Sequence, residues 1–423
     1  MKILWICNKM PAIVARRLGS KVSSKEGWID GIAHSIMKDD DSETNLVIGF
    51  PTSNSSDRLQ GKISSRIGFY SFYEDINAPH IYNPIIEDEL ADIISHENPD
   101  IVHIFGTEYP HALAVSKVCK GKTKVVAGIQ GMMGLCAEEY TYALPESIVN
   151  RSTFRDFIKG DNIRMQADKF LERANNEKKL LENLEFVIGR TTADKEFALS
   201  INPNLEYYKL NETLRDNFYS QRWDIDKCDK DTIIFSQADY PIKGFHIFIE
   251  ILALVCKKRP DTKVIVTGNN ITRYDTIKEK LKISSYGKYI RDLINKYKLG
   301  GNIVFKGMVE ASEMCHLMMN SRLLAVSSVM ENSPNSIGEA MLIGLPVVSS
   351  NVGGIATLID DNIEGLLYNL NDIEDAAEKI FRIMADDELA ASISKNAMKK
   401  AGILHSPENN YKDMIDIYRN IVG

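Results

Sequence analysis

Short apolar runs rich in Val, Ile and aromatic residues alternate along the chain with longer stretches whose apolar positions recur at helical spacing. That alternation is the pattern of strands followed by helices, and hence of parallel sheets. In the first half the runs "KILWIC", "TNLVIGF", "DIVHIF", "TKVVAGI", "LEFVIGR" and "LEYYKL" predict strands. Between them "IIEDELADIISHE" carries Ile85, Ile86, Leu90, Ile93 and Ile94 on one helical face.

The second half restarts the pattern with "TIIFSQ", "KVIVTGN", "NIVFKG", "RLLAVSS", "PVVSS" and "EGLLYN". Two doubly wound α/β domains are therefore expected, one over 1–212 and one over 213–405, joined through the polar stretch "LNETLRDNFYSQRWDIDKCDKD". A final amphipathic helix over 406–423 is expected to pack back on the first domain. Charge-rich residues 150–183 read as a solvated helical insertion, and 271–287 as a second, looser one.

Length agrees with two domains, since 423 residues exceed one ordinary core. Hydrophobic residues at 44% and charged ones at 26% belong to a globular chain, and a net charge of −7 gives no reason to expect a nucleic-acid partner. The six cysteines form no C-x-x-C pair, so neither a zinc ribbon nor a redox dithiol is indicated, and a reducing, cytoplasmic setting is the expectation. After Met1-Lys2 only "ILWIC" is apolar, too short for a signal peptide's hydrophobic region, and "IFIEILALVC" is well short of a membrane span.

Ligands of open α/β sheets bind beyond the carboxyl ends of strands, so candidate chemistry is sought there. After "RLLAVSS" comes "VMENSPNSIGEAMLIG", where Ser333 can cap a helix and Pro334 can fill its first position. The amides of Asn335, Ser336 and Ile337 would then point at an anion such as a phosphate. Glu331 and Glu339 flank that turn. Carboxylates offer acceptors, and vicinal sugar hydroxyls are their natural multi-donor partners. Diphosphate on the amides with sugars on the two acids is the outline of a nucleotide sugar. Farther on, Gly353 and Gly354 allow a close backbone approach.

With these residues quoted, the chain resembles glycosyltransferase family 4, the retaining group of GT-B enzymes. The matching features are the two glutamates, "EAMLIGLPVVSSNVGGI" and "EGLLYN", and the likeness is strongest over 231–369. The resemblance implies a GT-B fold, with two Rossmann-like domains facing a central cleft, the first for the acceptor and the second for the donor. It implies that Glu339 holds the donor ribose, that Glu331 binds the transferred sugar and has a catalytic part, and that Lys243 in "YPIKGF" meets the diphosphate. A lysine there suits a leaving group that gains negative charge.

The chain departs from the family pattern where an arginine usually precedes that lysine by five residues, since Ala238 stands there; Arg190 is the candidate replacement cation. Where the family commonly has a histidine, Gln130 can donate a hydrogen bond but cannot titrate near neutrality. Gly27 falls in the family's first glycine-rich loop, on the donor side. Trp28 is an acceptor-stacking or core residue, and His103 an acceptor-side or core one.

The resemblance further implies a hexose donor activated as a UDP-, GDP- or ADP-sugar, no cofactor and no metal. The implied acceptor is a saccharide or lipid-linked saccharide, in bacterial surface polysaccharide synthesis. The basic residues Arg16, Arg17, Lys21 and Lys25 suggest peripheral association with the cytoplasmic face of a membrane. A GT-B epimerase, a phosphorylase, or a non-catalytic scaffold that binds a sugar nucleotide are the alternative readings.

Overall fold

The computed structural model describes residues 1–20, 27–38, 43–54 and 58–423, with side chains from Ile29 onward in the second stretch. Contacts divide the chain into two units. The first comprises Met1–Leu135, Lys169–Leu214 and Leu404–Gly423, and the second Cys136–Asp168 and Arg215–Ile403.

The first unit is built on an eight-stranded sheet of β1 (Lys2–Cys7), β2 (Asn45–Thr52), β3 (Gln60–Lys62), β4 (Ile67–Tyr73), β5 (Ile101–Phe105), β6 (Lys124–Gly128), β7 (Phe186–Gly189) and β8 (Glu206–Lys209). Their order is β3-β4-β2-β1-β5-β6-β7-β8, parallel except for the antiparallel edge strand β3. All six strands predicted in this half are present. Sequence periodicity missed β3 and β4, because "IGFYSFY" dilutes its apolar residues with Gly and Ser and β3 is wholly exposed.

The second unit holds a six-stranded parallel sheet of β9 (Asp229–Ser236), β10 (Lys263–Thr267), β11 (Ile303–Gly307), β12 (Ser321–Val326), β13 (Val347–Ser350) and β14 (Leu366–Tyr368), in the order β11-β10-β9-β12-β13-β14. Every residue of β5 and of β12 is buried, as happens when both faces of a parallel sheet are covered. In each sheet the order reverses beside the first strand of its unit: between β1 and β5, and between β9 and β12. Such switch points open a crevice at the carboxyl ends of the strands.

The passage from the first unit to the second falls at Leu214/Arg215, but Cys136–Asp168, which lies in the first half by sequence order, groups with the second unit. The reading of 150–183 as a solvated helical insertion holds only in part. Helix Ile163–Asn183 buries Glu177, Leu180 and Leu181, so one face of its carboxyl-terminal half joins the core while Lys178, Lys179 and Glu182 stay exposed. The helix Pro407–Val422 packs on the helix Gly27–Lys38 and on β5, all within the first unit.

A polar chain ties that last helix into the first unit. Trp5 Nε1 donates to Tyr418 Oη at 3.1 Å, and Tyr418 Oη lies 2.6 Å from His103 Nδ1. Indole can only donate, so Tyr418 Oη accepts from Trp5 and the same hydroxyl is the hydrogen-bond partner of His103 Nδ1. Burial drives the His103 pKa down to about 3, which keeps the ring neutral. His103 is 2% exposed and stacks on Phe105 at 3.9 Å, as a core histidine does.

Replacing Tyr418 with Phe leaves the Trp5 N–H and His103 Nδ1 without their partner. A loss of about 1–3 kcal/mol is expected, read as a lower urea midpoint with an unchanged slope.

Candidate active site

The stretch after β9 and the stretch after β12 meet at the switch point of the second sheet. After β9 the chain makes a short turn, Pro241–Lys243, and Gly244 follows in the left-handed region with φ 63°. A Cβ on Gly244 would lie 1.7 Å from the Ser327 carbonyl oxygen, so only glycine permits this approach. Ser327 Oγ donates to the Gly244 carbonyl at 2.8 Å, and the Val329 amide donates to the Ile242 carbonyl at 2.8 Å. The lysine turn is thereby joined to the end of β12.

That junction places Lys243 Nζ 2.6 Å from Glu331 Oε1, and Ser328 Oγ donates to the same oxygen at 2.8 Å. Burial opposes the Lys243 charge, but the Glu331 carboxylate outweighs it, so the ammonium is held above the ordinary lysine range. The Glu331 backbone is fixed as well. Its carbonyl accepts from the Gly354 amide at 3.0 Å, and a Cβ on Gly353 would lie 1.9 Å from it. The glycine pair expected to approach a ligand therefore approaches Glu331.

The helix after this turn spans Asn335–Ile343 and differs from expectation in its cap. Pro334 occupies the cap position, and no side chain, Ser333 included, caps the helix. The Ile337 amide donates to the Pro334 carbonyl at 3.0 Å. Of the three amides expected to face an anion, those of Asn335 and Ser336 donate to no described residue. The positive end of the helix dipole is therefore presented through two amides.

Glu339 lies inside that helix and is 3% exposed. Its carboxylate is gripped at both oxygens by Arg215, Nε to Oε1 at 2.5 Å and Nη2 to Oε2 at 2.6 Å. Burial pushes the Glu339 carboxyl up, against the pull of the guanidinium. Each oxygen keeps a lone pair beyond the one used by arginine, so the group can still accept hydroxyls. Sequence reading missed Arg215. The signal available was indirect: an acid within "SIGEAMLIG" must be buried, and a buried carboxylate needs a cation.

In the first unit Gln130, Arg190 and Glu212 converge. Gln130 Nε2 donates to Glu212 Oε1 at 2.9 Å, Arg190 Nη1 pairs with the same oxygen, and Arg190 Nη2 donates to the Ile129 carbonyl at 2.8 Å. These side chains and His103 line one cavity at the carboxyl ends of β5, β6 and β7. Arg190 is thus 5% exposed and engaged with Glu212, so it is not a free cation of the kind sought to replace the arginine missing at Ala238. Ala238 itself is fully buried. Gly27 begins the helix Gly27–Lys38, and the side chain of Trp28 lies outside the described residues, as do Lys21 and Lys25. Arg16 and Arg17 are occupied by Asp30 and by the Lys62 carbonyl.

Residues 218–400 match the family model "Glycosyl transferases group 1". Among curated proteins the chain is similar to the putative glycosyltransferase YtcC of Bacillus subtilis, 20% identical over 349 residues that cover 81% of this chain and 78% of that one. Among solved structures it is similar to sucrose-phosphate synthase from Thermosynechococcus elongatus, with a TM-score of 0.69 at 15% identity over 100% of this chain and 99% of that one. It is likewise similar to Anabaena Alr3699/HepE in complex with UDP-glucose, with a TM-score of 0.68 at 16% identity over 99% of this chain and 100% of that one. The fold is GT-B. The domain match and the curated relative support a glycosyltransferase.

Exchanging Arg215 for Ala strands the Glu339 carboxylate in the core at a cost of about 3–5 kcal/mol near neutral pH. With the guanidinium gone, the folded-state pKa of Glu339 rises further above its unfolded value. The deficit should then shrink as pH falls through that pKa, where the acid becomes neutral. Urea titrations of both proteins from neutral pH downward measure this, and a deficit independent of pH would refute the assignment.

Proposed function

We propose that the chain is a retaining glycosyltransferase that moves a hexose from a nucleotide-diphosphate sugar to a saccharide or lipid-linked saccharide. The observation that carries this reading is the joining of Lys243, Glu331 and the open amides of Asn335 and Ser336 at the switch point of the second sheet. HepE, a structural neighbour, is described in complex with UDP-glucose, which favours a nucleotide-sugar donor here.

In this reading the Asn335 and Ser336 amides and the Lys243 ammonium receive the diphosphate, Glu339 accepts from the ribose hydroxyls, and Glu331 holds the transferred sugar. As the bond from the anomeric carbon to the phosphate oxygen breaks, negative charge grows on the diphosphate, and a cation already in place stabilises it without reorganisation. The acceptor oxygen forms its bond on the same face, and its proton passes to the departing phosphate oxygen. The Lys243–Glu331 pair keeps the ammonium charged and aimed before the donor arrives. Arg215 keeps Glu339 in one orientation through two bonds. The first unit is read as the acceptor side, and no metal is required by these steps. A role in bacterial surface polysaccharide synthesis, at the cytoplasmic face of the membrane, is the setting we assign.

A panel of UDP-, GDP- and ADP-hexoses tests the donor: the native one should raise the thermal midpoint by mass action. With that donor, Lys243→Ala should lower kcat by about 10²–10³ while the fold, followed by circular dichroism, stays intact. Wild-type transfer rates in Lys243→Ala, or no midpoint shift with any nucleotide sugar, would sink the proposal.

A further inference from the structure

Two short helices of the second unit turn large apolar side chains outward. The helix Phe154–Lys159 presents Phe154, Phe157 and Ile158, spaced three and four apart and therefore on one face, at 60%, 80% and 67% exposure. The helix Ile277–Lys282 packs against it and presents Ile277 and Leu281, four apart, at 78% and 47% exposure.

Polar groups hold the first of these helices to the unit. Its one buried residue is Asp156, which accepts from the Ser285 amide at 2.7 Å and from Arg155 Nη1 at 2.9 Å. Thr153 Oγ1 donates to the Ile283 carbonyl at 2.7 Å, and Arg151 Nη2 donates to the Ser285 carbonyl at 2.9 Å. The helix Ile277–Lys282 buries no residue at all. Five large apolar side chains thus form an outward patch on a pair whose fastening is polar. A patch of this kind on a protein surface marks an interaction site.

Charge selects the partner. Lys159, Lys278, Lys280 and Lys282 are all exposed beside the apolar side chains, in a chain whose net charge is −7. The acids of the two helices are engaged inside them: Asp156 is buried and Glu279 closes the capping box of Thr276. A second copy of the chain docking patch to patch would bring these lysines together, at an electrostatic cost. Apolar residues that insert, ringed by lysines that meet negative charge, fit the boundary between headgroups and acyl chains of an anionic bilayer. No described helix is long and apolar enough to cross a membrane, so the contact is one of lying on the surface.

We propose that the paired helices Phe154–Lys159 and Ile277–Lys282 form a surface that docks the protein onto anionic lipid bilayers. None of the basic residues Arg16, Arg17, Lys21 and Lys25 considered from the sequence belongs to these helices. It does not depend on the reaction assigned above: donor binding reports on that assignment and vesicle binding on this one.

The test is flotation of the full chain with phosphatidylcholine vesicles, with and without about 30% phosphatidylglycerol. Binding is expected to the mixed vesicles alone and to weaken as salt shortens the range of the lysine charges. The F157E/I277E variant should lose binding by about tenfold or more, while its thermal midpoint and its response to the nucleotide sugar match the parent protein. K278E/K282E should lose binding to mixed vesicles while remaining folded. Absence of binding to mixed vesicles, or equal binding by F157E/I277E, overturns the proposal. A dimer in solution that F157E/I277E dissociates would also overturn it, by assigning the patch to a second copy.

Discussion

The contact on which the candidate site depends is that of Gly244 against the Ser327 carbonyl. No side-chain carbon fits between them, so the backbone following β9 is pressed onto the end of β12, and two segments more than 80 residues apart in sequence act as one loop. Everything chemical in the second unit follows from that joint. It brings Lys243 to Glu331, the Glu331 carbonyl meets the Gly353–Gly354 turn, and the helix start at Asn335 comes next along the same chain. Rigid backbone therefore does what flexible side chains would do poorly, which is to keep a cation and an acid at hydrogen-bonding distance.

Two buried or half-buried ion pairs then divide the work differently. In Lys243–Glu331 both side chains retain some exposure, 18% and 12%, so an incoming anion can compete for the ammonium. In Arg215–Glu339 the acid is almost wholly enclosed and held by two parallel bonds, a geometry that fixes direction more than it adds stability. The first pair is suited to exchange of partners, and the second to constancy.

Much of the second unit was legible in the sequence because parallel strands buried on both faces read as unbroken apolar runs, and because "ENSPNSIGEA" concentrates turn, helix start and acids in ten residues. What escaped has a common cause. Arg215 stands in a polar stretch with no period, and its partner lies 124 residues away; nothing local announces such a pair. Ser333 looked like a cap by residue type, yet the helix begins one residue later than that cap requires, with proline at its border. Residues 154–158 and 277–281 read as solvated because they are charge-rich, and nothing in that reading announced that Phe154, Phe157, Ile158, Ile277 and Leu281 would be exposed as well. His103 was ambiguous for a simple reason: a strand histidine gives no hint that a tyrosine 315 positions on will claim it.

That last contact has a consequence for synthesis. The first unit draws on three separate stretches of chain, and the helix that carries Tyr418 belongs to it although residues 215–403 belong to the other unit. On a ribosome the amino-terminal sheet would emerge first, with Trp5 and His103 lacking their shared partner until residue 418 is made. All eight strands of that sheet are made by residue 209, but the helix that covers Trp5 and His103 arrives only after the intervening unit has been translated. Until then the apolar surface which that helix covers is open to aggregation or chaperone capture.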